Sequence, residues 1–285
     1  MKLSDQCLSC LVNQVVKVAH MTRVNDKEKL YARVFEYMSQ MDFKQTNPEV
    51  IGETFKLLKE YIHNDDPYVQ IRNYYNQLLL KQLPLFKQRI EDSKDSFYQA
   101  LRYAIIGNII DFNPISHHQL EDIISYFDDD TIPFSICDIE QLKDDIINAK
   151  TLLYLGDNCG EICLDKLLIE KIKELNPHVQ IYFGVRGVPV VNDSIKEDAY
   201  QIGMDEYTKI ISNGDYSLGT ILHRVSKEFY DVYQQADVII SKGSGNYESL
   251  SDENKNIYFL LMVKCQVISS YIQAPIHTLV CKRNI

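Results

Sequence analysis

Hydrophobic residues follow two different patterns along this chain, and the change falls near residue 145. Before it, apolar residues recur every three to four positions, which is the period of an amphipathic helix. Prolines separate the periodic segments, at Pro67, Pro84, Pro114 and Pro133. We predict helices at 6–21, 29–41, 48–64, 68–83 and 96–110, and a helical domain over 1–145.

After residue 145, short apolar runs alternate with helical segments. The runs are continuously hydrophobic, which is typical of parallel strands covered on both faces. Strands are predicted at 152–155, 179–185, 209–211, 238–241 and 257–262, with a sixth candidate at 277–281. The sequence therefore predicts an α/β fold: a doubly wound, mainly parallel sheet over 146–285, with the N-terminal helical domain beside it.

The composition is typical of a globular protein, because 45% of the 285 residues are hydrophobic. The formal charge of -10 argues against a general nucleic-acid-binding role. No apolar run approaches the roughly 18 residues of a membrane span, and the first residues lead into no signal-peptide core. We expect a cytoplasmic protein that binds neither nucleic acid nor membranes, and the sequence carries no signal for an oligomeric state.

The chain has seven cysteines at irregular spacing, which do not suggest a disulfide framework. Cys7 and Cys10 have the spacing of a metal-binding or redox pair. A zinc site would need two further ligands, and no second pair with suitable spacing is visible. The alternative is that both are small apolar residues on the inner face of a helix.

Polar side chains follow the first two predicted strands at their carboxyl ends. Asp157 and Asn158 follow the first strand, and Asp193 lies in the loop after the second. These ends share one edge of an open α/β sheet, and ligands bind at that edge. Two carboxylates and one amide oxygen suit Mg²⁺ or Mn²⁺, and Glu161 could orient a ligand. Helix capping is the alternative for Asp157 and Asn158.

Two further groups of polar residues stand out. Lys242 and Gly243 begin a glycine-rich turn after the fourth strand, where backbone N–H groups could approach an anion. Since the P-loop pattern is absent, an exposed turn is the alternative. Asn108 and Asp111 lie three positions apart at an apolar helix end, where they face a cleft or cap the helix.

Two common enzyme classes do not fit. The turn after the first strand lacks the G-x-G-x-x-G pattern, and the second strand ends in Arg186 rather than in a ribose-binding acid. No G-x-S-x-G elbow precedes a helix. Dinucleotide binding and serine hydrolysis are therefore disfavoured.

Six sequence blocks resemble, in the same order, the metal-dependent damage-control phosphatases, formerly a domain of unknown function. The resemblance extends over nearly the whole chain, and the Cys-x-x-Cys start is typical of the prokaryotic branch. The blocks are Cys7-x-x-Cys10, Asp66-Pro67-Tyr68, Gly107-Asn108-Ile-Ile-Asp111, Gly156-Asp157-Asn158-x-Gly160-Glu161, Arg186-Gly187-x-Pro189-Val-x-Asn192-Asp193, and Ser241-Lys242-Gly243-x-Gly245-Asn246-x-Glu248.

This resemblance implies a phosphatase that hydrolyses phosphate monoesters of small metabolites, often sugar phosphates or damaged metabolites. It implies a divalent metal ion (Mn²⁺, Co²⁺, Ni²⁺ or Mg²⁺) held by Asp157, Asn158 and Asp193. Asp157, Asp193 and Lys242 are the implied catalytic residues. The implied substrate-binding residues are Asn108, Asp111, Arg186, Lys242, Gly243 and Glu248.

Two alternatives compete with this interpretation. An S-adenosylmethionine-dependent carboxyl methyltransferase is one, although the glycine-rich first loop that binds this cofactor is missing. A zinc-stabilised regulatory protein without enzymatic activity, built on Cys7 and Cys10, is the other. Cofactor calorimetry and elemental analysis distinguish them from a phosphatase.

Overall fold

The computed structural model describes residues 1–109, 124, 127, 129 and 131–284. The N-terminal part contains five helices and a 3₁₀ turn at Gly107–Ile109. The helices are α1 Cys7–Met21, α2 Lys27–Gln40, α3 Asn47–Ile62, α4 Val69–Glu91 and α5 Ser96–Ile106. Each of them overlaps a helix that the periodicity predicts.

Helix α4 does not end at Pro84, where the sequence predicts a break. Pro84 lies inside the helix, which continues to Glu91. Phe86 and Ile90 in the continuing segment are fully buried. A proline removes one backbone hydrogen bond from a helix, and we attribute the continuation to the burial of these two side chains.

Seven strands form one sheet in the order β1-β7-β6-β5-β2-β3-β4. All neighbours are parallel except β6 and β7, which are antiparallel. The strands are β1 Phe134–Cys137, β2 Thr151–Leu155, β3 Gln180–Val185, β4 Lys209–Ser212, β5 Val238–Lys242, β6 Ile257–Met262 and β7 Leu279–Asn284. The predicted mainly parallel α/β sheet is confirmed.

Strand β1 was not predicted and lies in the segment 1–145 that the sequence assigns to helices. It pairs with β7 at the end of the sheet, and its side chains alternate between partly buried and exposed. Four residues with one half-covered face give little hydrophobic signal. The sheet therefore uses residues on both sides of the predicted boundary at 145/146, and the division into two domains stays a prediction.

Helices pack on both faces of the sheet, as a doubly wound fold requires. They are α6 Ile139–Asn148, α7 Glu161–Leu175, α8 Lys196–Gln201, α9 Lys227–Gln235, α10 Gly243–Leu250 and α11 Gln266–Ile272. One apolar core joins α4–α7 to one face, and a second joins α9 and α11 to the other. None of the helices in the described part of the chain is long and apolar enough to span a lipid bilayer.

Helices α1–α3 form a third core, which reaches the carboxyl edge of the sheet. Val190 and Val191, from the loop after β3, are buried in that core. Lys59 on α3 donates to the carbonyl of Pro189 in the same loop over 2.9 Å. The N-terminal helices thus hold the loop that carries Asp193.

Strands β2 and β5 are neighbours, and the chain leaves β2 towards β3 but leaves β5 towards β6, in opposite directions across the sheet. Such a reversal opens a crevice at the carboxyl ends of the two central strands. Asp157 follows β2, and Lys242 is the last residue of β5. The fold therefore places two of the predicted site residues at this crevice.

Candidate active site

The loops that follow β2 and β3 are joined at the carboxyl edge of the sheet. The backbone N–H of Ser194 donates to the carbonyl of Asp157 over 2.8 Å. Beside this bond, Asn158 and Asp193 form an isolated antiparallel bridge. The pairing of the two loops brings together Asp157, Asn158 and Asp193, the three predicted metal ligands.

Arg186 lies between the two aspartates as a shared cation. Its Nε donates to Asp193 Oδ2 over 2.6 Å, and its Nη2 donates to Asp157 Oδ1 over 3.4 Å. Its Nη1 donates to Asn246 Oδ1 over 3.1 Å. Arg186 is therefore a counter-ion within the protein, and its predicted contact with substrate stays a prediction.

Two amide side chains, those of Asn108 and Asn158, each donate hydrogen bonds to both Asp157 and Glu161. Nδ2 of Asn108 and Nδ2 of Asn158 each lie 2.9 Å from Asp157 Oδ2. The same nitrogens donate to Glu161 Oε2, over 3.1 Å from Asn108 and 2.9 Å from Asn158. Because its N–H groups are held in this way, Asn158 has its carbonyl oxygen left to offer to a cation.

Lys242 is fully buried. Its Nζ donates to Glu161 Oε1 and Asp165 Oδ1, each over 2.5 Å, and to the carbonyl of Ala104 over 2.8 Å. These acceptors use all three N–H groups of the ammonium. A phosphate oxygen, the partner predicted for Lys242, would have to replace one of them, and Ala104 is the only neutral acceptor. Burial alone would lower the pKa of Lys242, but Asp165 and Glu161 raise it above its ordinary value.

Gly243 opens α10 with a φ of +79°, a conformation that favours glycine. A Cβ atom at this position would lie 2.0 Å from Asp157 Oδ2. Only a glycine therefore allows the start of α10 to approach the aspartate this closely. The first N–H groups of α10 lack partners within the helix and lie on this side of the crevice.

The buried charges at this edge do not balance. The hydrogen bonds above connect six ionisable side chains, each at most 8% exposed. They are four carboxylates (Asp157, Glu161, Asp165 and Asp193) and two cations (Arg186 and Lys242). With all six groups ionised, the cluster carries two more negative than positive charges in a region shielded from water, where uncompensated charge is costly.

Three of the four acids in this cluster have raised pKa values. Burial, followed by the carboxylate of Asp193, raises the pKa of Asp157 well above its ordinary value. Burial also raises the pKa of Asp193, and it raises the pKa of Asp165 to about 6. Glu161 differs: burial would raise its pKa, but Lys242 and the hydrogen bonds from Asn158 and Asn108 together lower it below its ordinary value. Either protons or one divalent cation can balance the cluster.

The donor chemistry fits a hard divalent cation. Two carboxylates and an amide oxygen are the ligands such ions prefer, and water or substrate oxygens complete the coordination. In the part of the chain that the structure describes, no cluster of three or more His, Cys, Asp or Glu side chains is arranged to hold a metal. The three predicted metal ligands include only two side chains of these types, because the third ligand is the amide of Asn158. They therefore do not count as a cluster of this kind.

Glu248 lies on α10 towards the N-terminal helices. Its carboxylate accepts a hydrogen bond from Asn47, and its backbone carbonyl accepts one from the N-terminal amine over 2.7 Å. Burial raises the pKa of this carboxyl to about 7. Its predicted contact with substrate stays a prediction. Asp111, another predicted substrate residue, lies outside the described residues.

Replacing Glu248 with glutamine is expected to raise the free energy of unfolding at pH 8 by roughly 2 kcal/mol. The ordinary pKa is 4.5 and the folded value is about 7, so the folded state holds the proton more tightly. The contribution of Glu248 to the free energy of unfolding therefore falls as the pH rises from 4.5 to about 7. Glutamine does not ionise, so the variant does not lose this stability. Urea unfolding of both proteins at pH 5 and pH 8 measures the difference. An advantage of the variant that does not grow with pH would contradict the prediction.

The Cys7–Cys10 pair begins α1 and carries free thiols. Cys7 is partly buried and Cys10 is exposed. Burial, followed by the charge of Glu248, raises the pKa of the Cys7 thiol to about 11. A protonated thiol is a poor metal ligand and a poor nucleophile. Cys7 packs against the core of α1–α3, but Cys10 is exposed, so the prediction that both lie on the inner face of the helix is wrong for Cys10. The metal and redox roles stay predictions.

Sequence reasoning missed Asp165, Tyr154 and Asn246 as members of the site. Tyr154 donates to Asp165 over 2.7 Å, and Asn246 accepts from Arg186. One signal was available for Asp165, because it follows Glu161 by four positions and therefore lies on the same face of α7. No comparable signal marks Tyr154, which reads as a core residue of β2.

A cavity of about 650 Å³ opens beside Arg186 at the same edge of the sheet. Its volume is in the usual range for small-molecule sites. Its walls combine acidic, basic, amide and apolar side chains, among them Asp66, Arg72, Asn73, Glu197, Gln201 and Val188. Arg72 in this wall is buried and pairs with Asp66 and Asp198.

Comparison with known proteins gives consistent matches over the full chain. The profile of the damage-control phosphatase ARMT1-like domain matches residues 3–280. The damage-control phosphatase PH1575 of Pyrococcus horikoshii is 33% identical over 291 residues, covering 100% of this chain and 99% of that protein. A damage-control phosphatase of Archaeoglobus fulgidus is 30% identical and covers 99% of both.

The fold has a similarly close match. The crystal structure of a DUF89 family protein from Pyrococcus horikoshii superposes with a TM-score of 0.91 at 30% sequence identity. The superposition covers 100% of both chains. The similarity therefore includes the N-terminal helices as well as the sheet.

Proposed function

We propose a catalytic function on one premise: this chain belongs to the damage-control phosphatase ARMT1-like domain family. Membership confirms the predicted family, and the names of the relatives support a phosphatase role. The branch that Cys7 and Cys10 indicate stays a prediction. We propose, more specifically, that the protein hydrolyses phosphate monoesters of small metabolites with a divalent cation. Sugar phosphates and damaged phosphometabolites are the proposed substrate class.

The excess of two negative charges in the buried cluster is the observation that carries this proposal. Asp157, Asn158 and Asp193 would hold the cation, and the other charged members of the cluster would hold these ligands in place. A bound divalent ion supplies Lewis-acid stabilisation of the charge on the phosphoryl oxygens. One such ion also balances the cluster, so the chemistry of the reaction and the charge of the site call for the same ligand.

The remaining residues would bind and orient the ester. The first N–H groups of α10, which begins at Gly243, would donate to a bound anion. The buried ammonium of Lys242 would stabilise the phosphate by its positive charge. It would donate a hydrogen bond to the phosphate directly if a phosphate oxygen replaced the carbonyl of Ala104. Asp157 or Asp193 could accept the proton of the attacking water, and a covalent phospho-enzyme on one of them is the alternative.

The cavity beside Arg186 is proposed to receive the organic part of the substrate. Its volume of about 650 Å³ suits a small metabolite. Carboxylates and amides, such as Asp66, Asn73 and Gln201, can pair with hydroxyl groups as donors or acceptors. A hydroxyl-rich ester therefore fits this wall better than an apolar one.

A metal-supplemented assay tests the proposed function. Metal-free protein is given Mn²⁺, Co²⁺, Ni²⁺ or Mg²⁺ and assayed for phosphate release from p-nitrophenyl phosphate and from a panel of sugar phosphates. We expect release that depends on the added ion. Absence of release with every ion would contradict the proposal. Heat of binding with S-adenosylmethionine would favour the methyltransferase, and one bound zinc per inactive chain would favour the regulatory protein.

A further inference from the structure

Asp165 is a fully buried carboxylate that no predicted role uses. Its Oδ1 accepts from Lys242 Nζ over 2.5 Å and from the hydroxyl of Tyr154 over 2.7 Å. Its Oδ2 has no hydrogen-bond partner among the described residues. A buried carboxylate with one unpaired oxygen costs folding free energy, so stability alone does not account for an acid at this position.

The contacts of Asp165 lead to a proposed metal ligand through two intermediate side chains. Lys242 donates to Asp165 and, over the same distance of 2.5 Å, to Glu161 Oε1. The other oxygen of Glu161 accepts from Nδ2 of Asn158 over 2.9 Å. The position of the ammonium therefore determines how the carboxylate of Glu161 is turned, and Glu161 in turn fixes the amide of Asn158.

Asp165 and Glu161 lie one turn apart on α7 and hold the ammonium from two sides. Without Asp165, the ammonium would keep Glu161 as its single charged partner and could move towards it. Tyr154 has a fully buried side chain, and its hydroxyl donates to the same oxygen of Asp165. Tyr154 therefore fixes the orientation of the Asp165 carboxylate, and this carboxylate fixes the position of the Lys242 ammonium.

We propose that Asp165, supported by Tyr154, is a positioning residue for the cation site. It holds Lys242 so that Glu161 turns the carbonyl oxygen of Asn158 towards the cation. This inference rests on the proposed function only in requiring a divalent cation at Asp157, Asn158 and Asp193. Asp165 itself touches neither the cation nor the substrate.

The test measures Mn²⁺ binding to the metal-free full chain by isothermal titration calorimetry. Asp165→Asn is expected to raise the Mn²⁺ dissociation constant by about tenfold, as loss of a residue that orients a metal ligand does. Tyr154→Phe removes one hydrogen bond to Asp165 and is expected to raise it by about threefold. At saturating Mn²⁺, the KM for p-nitrophenyl phosphate is expected to stay within about twofold of wild type in Tyr154→Phe, because this variant keeps both carboxylate partners of Lys242.

Asp145 provides a matched control. Its Oδ2 accepts from the hydroxyl of Tyr258 over 2.7 Å and pairs with Arg283 over 2.8 Å. The same combination of tyrosine, acid and cation thus occurs near the amino-terminal end of β6, away from the site. Asp145→Asn is expected to leave the Mn²⁺ dissociation constant within about twofold of wild type.

Folded Asp165→Asn protein with wild-type Mn²⁺ affinity would overturn the inference, and so would a raised KM with unchanged metal affinity. If Asp165→Asn does not fold, as judged by circular dichroism, Tyr154→Phe decides in the same way. A wild-type protein that binds Mn²⁺ but releases no phosphate would contradict the proposed function. Weaker Mn²⁺ binding by the Asp165 variant would still support the positioning role in that case.

Discussion

Replacing Lys242 with methionine is expected to lower the free energy of unfolding at pH 8 by about 3–5 kcal/mol. The substitution keeps a long apolar side chain but removes the cation that, alone among the described residues, contacts both Glu161 and Asp165. Two carboxylates are then left buried without a counter-ion. Urea unfolding of the metal-free proteins, followed by circular dichroism, measures the loss.

The loss is expected to be smaller at pH 5. In the wild-type protein burial already raises the pKa of Asp165 to about 6, and removal of Lys242 raises it further. An acid with a raised folded pKa is neutral below that pKa, so its burial penalty is present above it and relieved below it. A loss of equal size at pH 5 and pH 8 would contradict this explanation.

Lys171→Met is the matched control for this experiment. Lys171 lies on α7 and its side chain is 5% exposed, but its partners Glu91 and Glu174 are more than half exposed. Carboxylates in contact with water do not need the lysine as a counter-ion. The control is expected to cost less than about 1 kcal/mol.

Replacing Asp157 with asparagine is expected to lower kcat for p-nitrophenyl phosphate with Mn²⁺ by about a thousandfold or more. The variant keeps the shape of the side chain but loses one of the two charged metal ligands. Its metal-free form is expected to be at least as stable as wild type, because burial penalises the ionised aspartate. Activity and stability would thus change in opposite directions, which a general folding defect cannot produce.

Metal-dependent stabilisation gives a second measurement on the same variant. A concentration of Mn²⁺ one hundred times the dissociation constant is expected to stabilise wild type by about 2.7 kcal/mol, and the variant by much less. Asp237→Asn is the control, because Asp237 accepts from the backbone of Thr151 at the opposite end of β2. Wild-type turnover in Asp157→Asn, or an equal loss in the control, would contradict the assigned role.

The sequence predicts most of the sheet because its central strands are buried on both faces. Strands β2, β5 and β6 are almost entirely buried, and continuous apolar runs of this kind are visible without any structure. Strand β1 escapes prediction because it lies at the end of the sheet and has one exposed face. The predicted helix end at Pro84 is wrong because tertiary packing stabilises α4 on both sides of this proline.

The sequence predicts site residues chiefly in the loops that follow predicted strands. Asp157 and Asp193 each follow a predicted strand, so their meeting at one edge could be expected from the fold class. The acidic partners of Lys242 could not be predicted, because their positions depend on the depth at which α7 packs against the sheet. Glycine-rich turns usually expose a lysine, whereas here the side chain points into the core between Glu161 and Asp165.

The position of the cation is the most direct test of the proposed site. Crystals grown with Mn²⁺ and measured at the manganese absorption edge are expected to show one anomalous peak between the carboxylates of Asp157 and Asp193 and the amide oxygen of Asn158. The peak is expected to be lost in Asp157→Asn crystals. A peak at any other position, or none in protein that releases phosphate with Mn²⁺, would contradict the assignment of these three ligands.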